Sequence, residues 1–259
     1  MPPTPDLHVA TELRTIRALA KIPVEALEEL APLVCQRRVL AQVPVVAQGV
    51  PSSSWLLLVR GAAKTTRLAQ TEADGSVIVL DVMRAPCVVS DPSIFDGIAA
   101  PASVVTLRAS HVFAVDRRAL LGVLANHPTL SQALLARLAE EVRSLVHRVD
   151  EIVSGPVDER VKTLLESLAQ KHGTPLGDGH FIAIPLRRRD IASMVNATTE
   201  TVSRLLAKFE RDGLAKSTRD GIWWKAAAKT PRWPAALEVE PPIALRAEAL
   251  PQDRSGQRA

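Results

Sequence analysis

Between residues 36 and 116 the chain runs in short β-branched stretches: VLAQVPVV, SWLLLV, SVIVLDV, ASVVTL and HVFAVD. Turn signals separate them, at Gly49-Val50-Pro51, Arg60-Gly61, Asp74-Gly75 and Asp91-Pro92. From His127 that texture stops, and Leu135, Leu138, Val142, Leu145, Val149 and Ile152 recur at spacings of three and four. Strands in one block and helices in the next predict an α+β fold in which an antiparallel sandwich or barrel precedes a long helix. Asp74-Gly75 between two strand-like runs is a hairpin signal.

The 3-4-3-4-3 spacing is a heptad seam, with charges such as Glu140, Arg143, Arg148 and Asp150 off it. An amphipathic helix packed on its own domain would show the same pattern; the sharper reading is a two-helix dimer seam. Gly155-Pro156 ends it. Upstream, residues 12 to 34 carry apolar residues at helical spacing broken at Pro23, which predicts two short helices.

Residues 156 to 225 read as a further domain: a helix over 158 to 172, a Gly/Pro-rich break (GTPLGDG), a short strand (HFIAIPL), two helices and a hairpin. This segment holds 12 Lys/Arg against 9 Asp/Glu, so it carries +3 of the chain's net +4. Such an excess suits a polyanionic partner without demanding one. In LRRRDIASMVNATTETVSRLLAKFERDGL (186–214), Ile191, Ala192 and Val195, then Val202, Leu205, Leu206 and Phe209, are the apolar faces of two short helices. The tight polar link Asn196-Ala197-Thr198 joins them, and Thr198 or Thr199 can cap the second. Ala192 is small where the helices must cross. This is a helix-turn-helix pattern, whose second helix would enter a DNA major groove by its N-terminal end.

That end offers Thr199, Glu200, Ser203 and Arg204 as base-reading residues. An arginine fork matches guanine O6 and N7, a carboxylate accepts from cytosine N4–H, and a serine bonds either way. The bland alternative is that Glu200 and Arg204, at i and i+4, form a solvated pair. Arg187, Arg188 and Arg189 stand against the positive end of a helix dipole, which costs stability unless an anion arrives. With Thr198, and with Lys216 and Arg219 on the predicted wing (LAKST, Arg219-Asp220-Gly221, IWWK), they are the expected phosphate contacts.

From about Val24 to Lys225, and most specifically in residues 186–214, the chain resembles the Crp/Fnr family of bacterial transcription regulators. The resemblance implies an N-terminal β-roll sensor with helices (1–125), a dimerisation helix (126–154), a winged helix-turn-helix (155–228) and, after it, a flexible tail (229–259). The tail is read from its five prolines and lack of sustained periodicity, with a short helix expected around Ile243 to Leu250. Arg187 stands where the family often has a Ser/Thr cap. The family's cyclic-AMP receptor type reads TGTGA-like half-sites with Arg, Glu and Arg; its fumarate-nitrate type reads TTGAT-like half-sites with Glu-x-x-Ser-Arg. Thr199 replaces the first Arg, while Glu200, Ser203 and Arg204 keep the second type's register, which implies a palindrome of TTGA…TCAA character. Double-stranded DNA, a second copy of the chain, RNA polymerase and a small-molecule effector are the implied partners.

The sensor half departs from the family. Its cyclic-nucleotide ligands, a Gly-Glu pair and an Arg-Ser/Thr pair, correspond to Ser90-Asp91 and to the neighbourhood of Ala100-Pro101. Between Met83 and Leu107 only Arg84 is basic, which leaves a cyclic phosphate underpaired and disfavours cyclic AMP. The family's iron–sulfur version needs four cysteines, and the chain has two, Cys35 and Cys87. Its carbon-monoxide-sensing branch begins Met-Pro-Pro, as here, and has a Cys in the loop of Cys87, but that branch's His is Val89. Haem with His8 or His111 as axial ligand, and direct thiol sensing, stay open as alternatives. Cys87, Ser90 and Asp91 are the candidate effector pocket, with no metal site expected.

The roll shows no paired carboxylates, His/Cys metal spacing or nucleophile elbow in motif context, so an enzyme carrying a winged helix is disfavoured. A winged helix used only for protein contact is the other alternative. The N-terminal MPPTPDLH is unlike a signal peptide, and no apolar run reaches membrane-spanning length. The reading is a cytoplasmic protein.

Overall fold

The central strand run SWLLLV is apolar at consecutive positions because the strand it forms feeds two cores at once. The computed structural model describes residues 7–68, 77–89, 91–153 and 155–225, all in one compact unit. The Asp74-Gly75 hairpin, Ser90, the Ile152 side chain and the segment from 229 onward lie outside the described residues.

Helices α1 (Leu7–Thr15) and α2 (Val24–Leu30) and one 3-10 turn lead into β1 (Val34–Val39). Strands β2 (Pro44–Val46), β3 (Ser54–Arg60), β4 (Ala62–Leu68), β5 (Val77–Arg84) and β6 (Cys87–Val88) follow. A one-turn helix α3 (Ser93–Asp96), β7 (Ser103–Thr106) and β8 (Ser110–Asp116) complete the roll. Two four-stranded antiparallel sheets result, in the orders β1-β8-β3-β6 and β2-β7-β4-β5. From β3, Trp55, Leu57 and Val59 point to a core shared with α1 and α2. Leu56 and Leu58 point to the core between the sheets, with Ala63, Met83 and Val104. β8 divides likewise: Phe113 and Val115 go to the helical side, and Val112 and Ala114 to the other.

VLAQVPVV is not one strand but the end of β1 and all of β2, parted by a turn in which Gln42 has φ 64°. After β8, Asp116 caps α4 (Arg117–Asn126), its carboxylate accepting from the N–H groups of Arg118 and Ala119. The long helix α5 (Pro128–Val153) has 26 residues, about 39 Å at 1.5 Å per residue. Its first turns pack Leu130 and Leu134 into the helical core. Beyond that, Leu135, Val142, Leu145, Val146 and Val149 stand exposed in the single chain, and Leu138 is half-buried.

Gly155 (φ +80°) turns the chain into α6 (Val157–His172). The Gly/Pro-rich break is itself a strand, β9 (Gly173–Leu176), hairpinned to β10 (Gly179–Ile182). Pro175 is tolerated there because β9 is an edge strand. α7 (Arg188–Met194), α8 (Thr199–Arg211), β11 (Ala215–Ser217) and β12 (Ile222–Lys225) close a winged helix-turn-helix, with sheet order β11-β12-β10-β9.

Candidate nucleic-acid interface

α8 is sharply two-faced. Val202, Leu206 and Phe209 are buried at spacings of four and three, each stabilising by roughly 1.5–3 kcal/mol over an exposed position. Phe209 meets Trp224 of β12 edge-on at 5.7 Å, which fixes the helix against the wing. Ile191, Ala192 and Val195 of the preceding helix and turn are buried with them, as the spacing predicts, while Leu205 is half-buried.

The turn between α7 and α8 needs Asn196 in the left-handed region, at φ 48°, a conformation asparagine tolerates. Thr198 then caps α8, its Oγ1 accepting from Thr201 N–H at 3.2 Å. Thr199 and Glu200 are therefore in the first turn, exposed, with Ser203 half-buried and Arg204 exposed beside them. Glu200 Oε1 and Arg204 Nη2 are 3.8 Å apart at the surface, a screened pair that base contacts can replace.

Arg187, Arg188 and Arg189 are all exposed around the start of α7. Arg187 is the N-cap but its side chain does not cap; instead Asp190 Oδ2 accepts from Arg187 N–H at 3.0 Å. Lys216 and Arg219 are exposed on the wing. The wing is held to α8 by Ser217 N–H donating to Glu210 Oε1 at 3.0 Å, and hydrogen bonding from the Ser217 hydroxyl, then from its N–H, lowers the Glu210 pKa. The expected base-reading and phosphate residues thus sit on exposed ground around the start of α7, the start of α8 and the wing.

This end of the molecule is seated on the roll, a contact that linear pattern reading did not anticipate. The sheet ends at β5, and α7 covers that edge: Val79 N–H donates to Ser193 Oγ at 2.8 Å, and the hydroxyl donates to the Val77 carbonyl at 3.3 Å. Beside it, Lys64 Nζ of β4 donates to Asp190 Oδ1 at 2.6 Å, and both residues are buried. Arg84 donates to the His172 carbonyl, and Arg108 to the Asp220 carbonyl in the wing. Burial lowers the pKa of His172. Ala62, Val79, Val82 and Leu107 of the roll share one apolar core with α6, α7 and α8.

In the candidate effector pocket, the Asp91 carboxylate accepts from Ser52 Oγ and from Ser93 N–H. At the other family position stand buried Ala100 and exposed Pro101. Neither Ala100 nor Pro101 supplies a guanidinium, so these positions do not fit a cyclic phosphate held as the family holds it. Cys87 is desolvated, and burial pushes its thiol up to about 12. It packs on the core between the sheets, whereas His111 meets Phe113 edge-on at 5.3 Å; His8 is exposed beside Glu12. Among the described residues no three His, Cys, Asp or Glu groups gather as a metal site, and no helix is long and apolar enough to cross a membrane.

Comparison with known proteins bears on the same two halves. A cyclic nucleotide-binding domain model matches residues 36–127, and a Crp-like helix-turn-helix domain model matches 159–226. A CRP-like cAMP-activated global transcriptional regulator of Mycobacterium tuberculosis is 31% identical over 169 residues, 65% of this chain and 74% of that one. FixK2 of Bradyrhizobium japonicum has a similar fold, with TM-score 0.64 at 20% identity over 76% of this chain and 99% of that one. So does CLP, a c-di-GMP responsive global regulator of Xanthomonas campestris, with TM-score 0.64 at 16% identity over 79% of this chain and 100% of that one.

Proposed function

The chain belongs to the Crp/Fnr family of transcription regulators, and from that premise we propose that it binds a palindromic operator as a homodimer, reading TTGA-like half-sites. The observation that carries this reading is the exposed N-terminal face of α8, where Glu200, Ser203 and Arg204 lie one turn apart. Arg204 reads guanine, Glu200 accepts from cytosine and Ser203 supplements them. Arg187, Arg188, Arg189, Lys216 and Arg219 bind backbone phosphates and set the register, and Thr198 holds the cap that aims the helix.

The exposed stripe Leu135, Val142, Leu145, Val149 on α5, completed by half-buried Leu138 and by Ile152, supports pairing with a second copy. A dimer places two recognition helices on two half-sites, which is what a palindrome requires. RNA polymerase is the partner on which such a regulator acts. The signal enters at the roll through chemistry other than the family's phosphate-binding arginine.

Selection of binding sites from random duplexes tests the reading. A TGA-type core in inverted repeat is expected, and Arg204→Ala should cost about 1–3 kcal/mol of specific affinity and relax preference at one base pair. Selected sites without such a core would overturn the half-site assignment.

A further inference from the structure

The three arginines expected to meet phosphate are followed at once by a carboxylate, Asp190, one oxygen of which holds the Arg187 N–H. A bare carboxylate at that point would repel the phosphate that Arg187–Arg189 attract, from well within the roughly 10 Å over which charges are felt at 0.1 M salt. The other oxygen, however, is taken by Lys64 Nζ at 2.6 Å. Lys64 does not belong to the winged helix at all: it lies on β4 of the roll, 126 residues away in sequence, with only 9% of its side chain exposed. Beside it, Val79 and Val82 lie in the shared core and Ser193 is bonded to the strand backbone. A buried ammonium in such a setting is expensive, and Asp190 is the group that compensates it.

We propose that Lys64 is a positioning residue for DNA binding. Supplied by the sensor half, it neutralises and holds Asp190, so that the arginine turn presents its full positive charge to the backbone phosphate. DNA affinity therefore depends on the charge of a side chain that touches no DNA. This inference rests on the DNA-binding reading above, and on Arg187–Arg189 being phosphate contacts.

The test uses the full chain and its selected palindrome at about 0.1 M salt, with affinity and active fraction both taken from titration. Lys64→Met leaves Asp190 unbalanced and is expected to weaken binding roughly three- to ten-fold. Lys64→Met combined with Asp190→Asn removes both charges and is expected to recover most of that loss. Ser193→Ala cuts the uncharged tie of α7 to β5 and should leave affinity within two-fold, because the effect is one of charge. Affinity unchanged in Lys64→Met, or tighter, overturns the proposal; tighter binding would make the ion pair a restraint on DNA binding. An equal loss in Ser193→Ala overturns it too, by making docking alone responsible. If Lys64→Met is poorly folded, Lys64→Gln, which keeps a polar group beside Asp190 but carries no charge, decides: a three-fold or greater loss supports neutralisation, and any smaller change rejects it. Wild type failing to bind any duplex would instead sink the DNA-binding reading itself.

Discussion

Arg148 Nη1 donates to Asp81 Oδ1 at 3.2 Å, fastening the long helix to the edge strand of the roll, while Arg148 Nη2 is buried with no hydrogen-bond partner. The two partners are unequally placed: the Arg148 side chain is 10% exposed and that of Asp81 is 41% exposed. Water can therefore solvate Asp81 alone, but not Arg148 alone. Asp81→Asn should lower stability by about 1–2 kcal/mol, since it strands a buried guanidinium, whereas Arg148→Met should be nearly neutral. Urea unfolding of both variants checks the asymmetry; equal losses would refute it.

Gly61 turns β3 into β4 at φ +114°, a region closed to other residues. A Cβ there would lie 2.2 Å from Ser110 Oγ and 3.0 Å from Ser110 Cα. Gly61→Ala should cost about 2–4 kcal/mol, and Ser110→Ala in the same background should not restore it, because the backbone contact remains. Thermal unfolding of wild type and the two variants reads this out.

The two thiols should behave oppositely. Cys35 is exposed, whereas burial raises the Cys87 pKa to about 12. A disulfide reagent at pH 8 should find one fast thiol in the folded chain and a second only after unfolding. The sign of the pH dependence follows from the same shift. Above the ordinary thiol pKa of about 8.5 the unfolded chain loses a proton that the folded chain keeps, so Cys87 costs stability increasingly up to about pH 12. A Cys87→Ala variant should lack this alkaline slope. Two fast thiols at neutral pH would argue for direct thiol sensing.

On α5, Leu145 is 48% exposed and Val142 60% in the single chain. A twofold contact doubles each substitution, so Leu145→Asp should cost about 3–6 kcal/mol of association and give a monomer at micromolar concentration by sedimentation. Arg143→Asp, one position off the seam, should remain dimeric. A dimer that survives Leu145→Asp would move the interface elsewhere.

Sequence periodicity carried the winged helix well, because its helices are short, amphipathic and packed on near neighbours: Ile191, Val202, Leu206 and Phe209 are buried where their spacing puts them. It misread GTPLGDG, since glycine and proline signal a turn while edge pairing to β10 asks little of a strand. It left α4 unassigned, because a single aspartate cap at Asp116 starts it and Pro128 closes the segment. The largest gap was the seat of α7 on β5. Nothing local ties Lys64 to Asp190, and Asp190 already has an ordinary job as a capping residue that hides its second one.

The apolar core that runs from Ala62, Val79, Val82 and Leu107 into α6, α7 and α8 means that a break in the chain's functions is not a break in its cooperativity. A fragment cut at Gly155 would expose one side of that core to water and leave Asp190 without its counter-ion. Grafting this DNA-reading end onto another sensor would have to carry β4 and β5 along, and the intact chain should melt in one step.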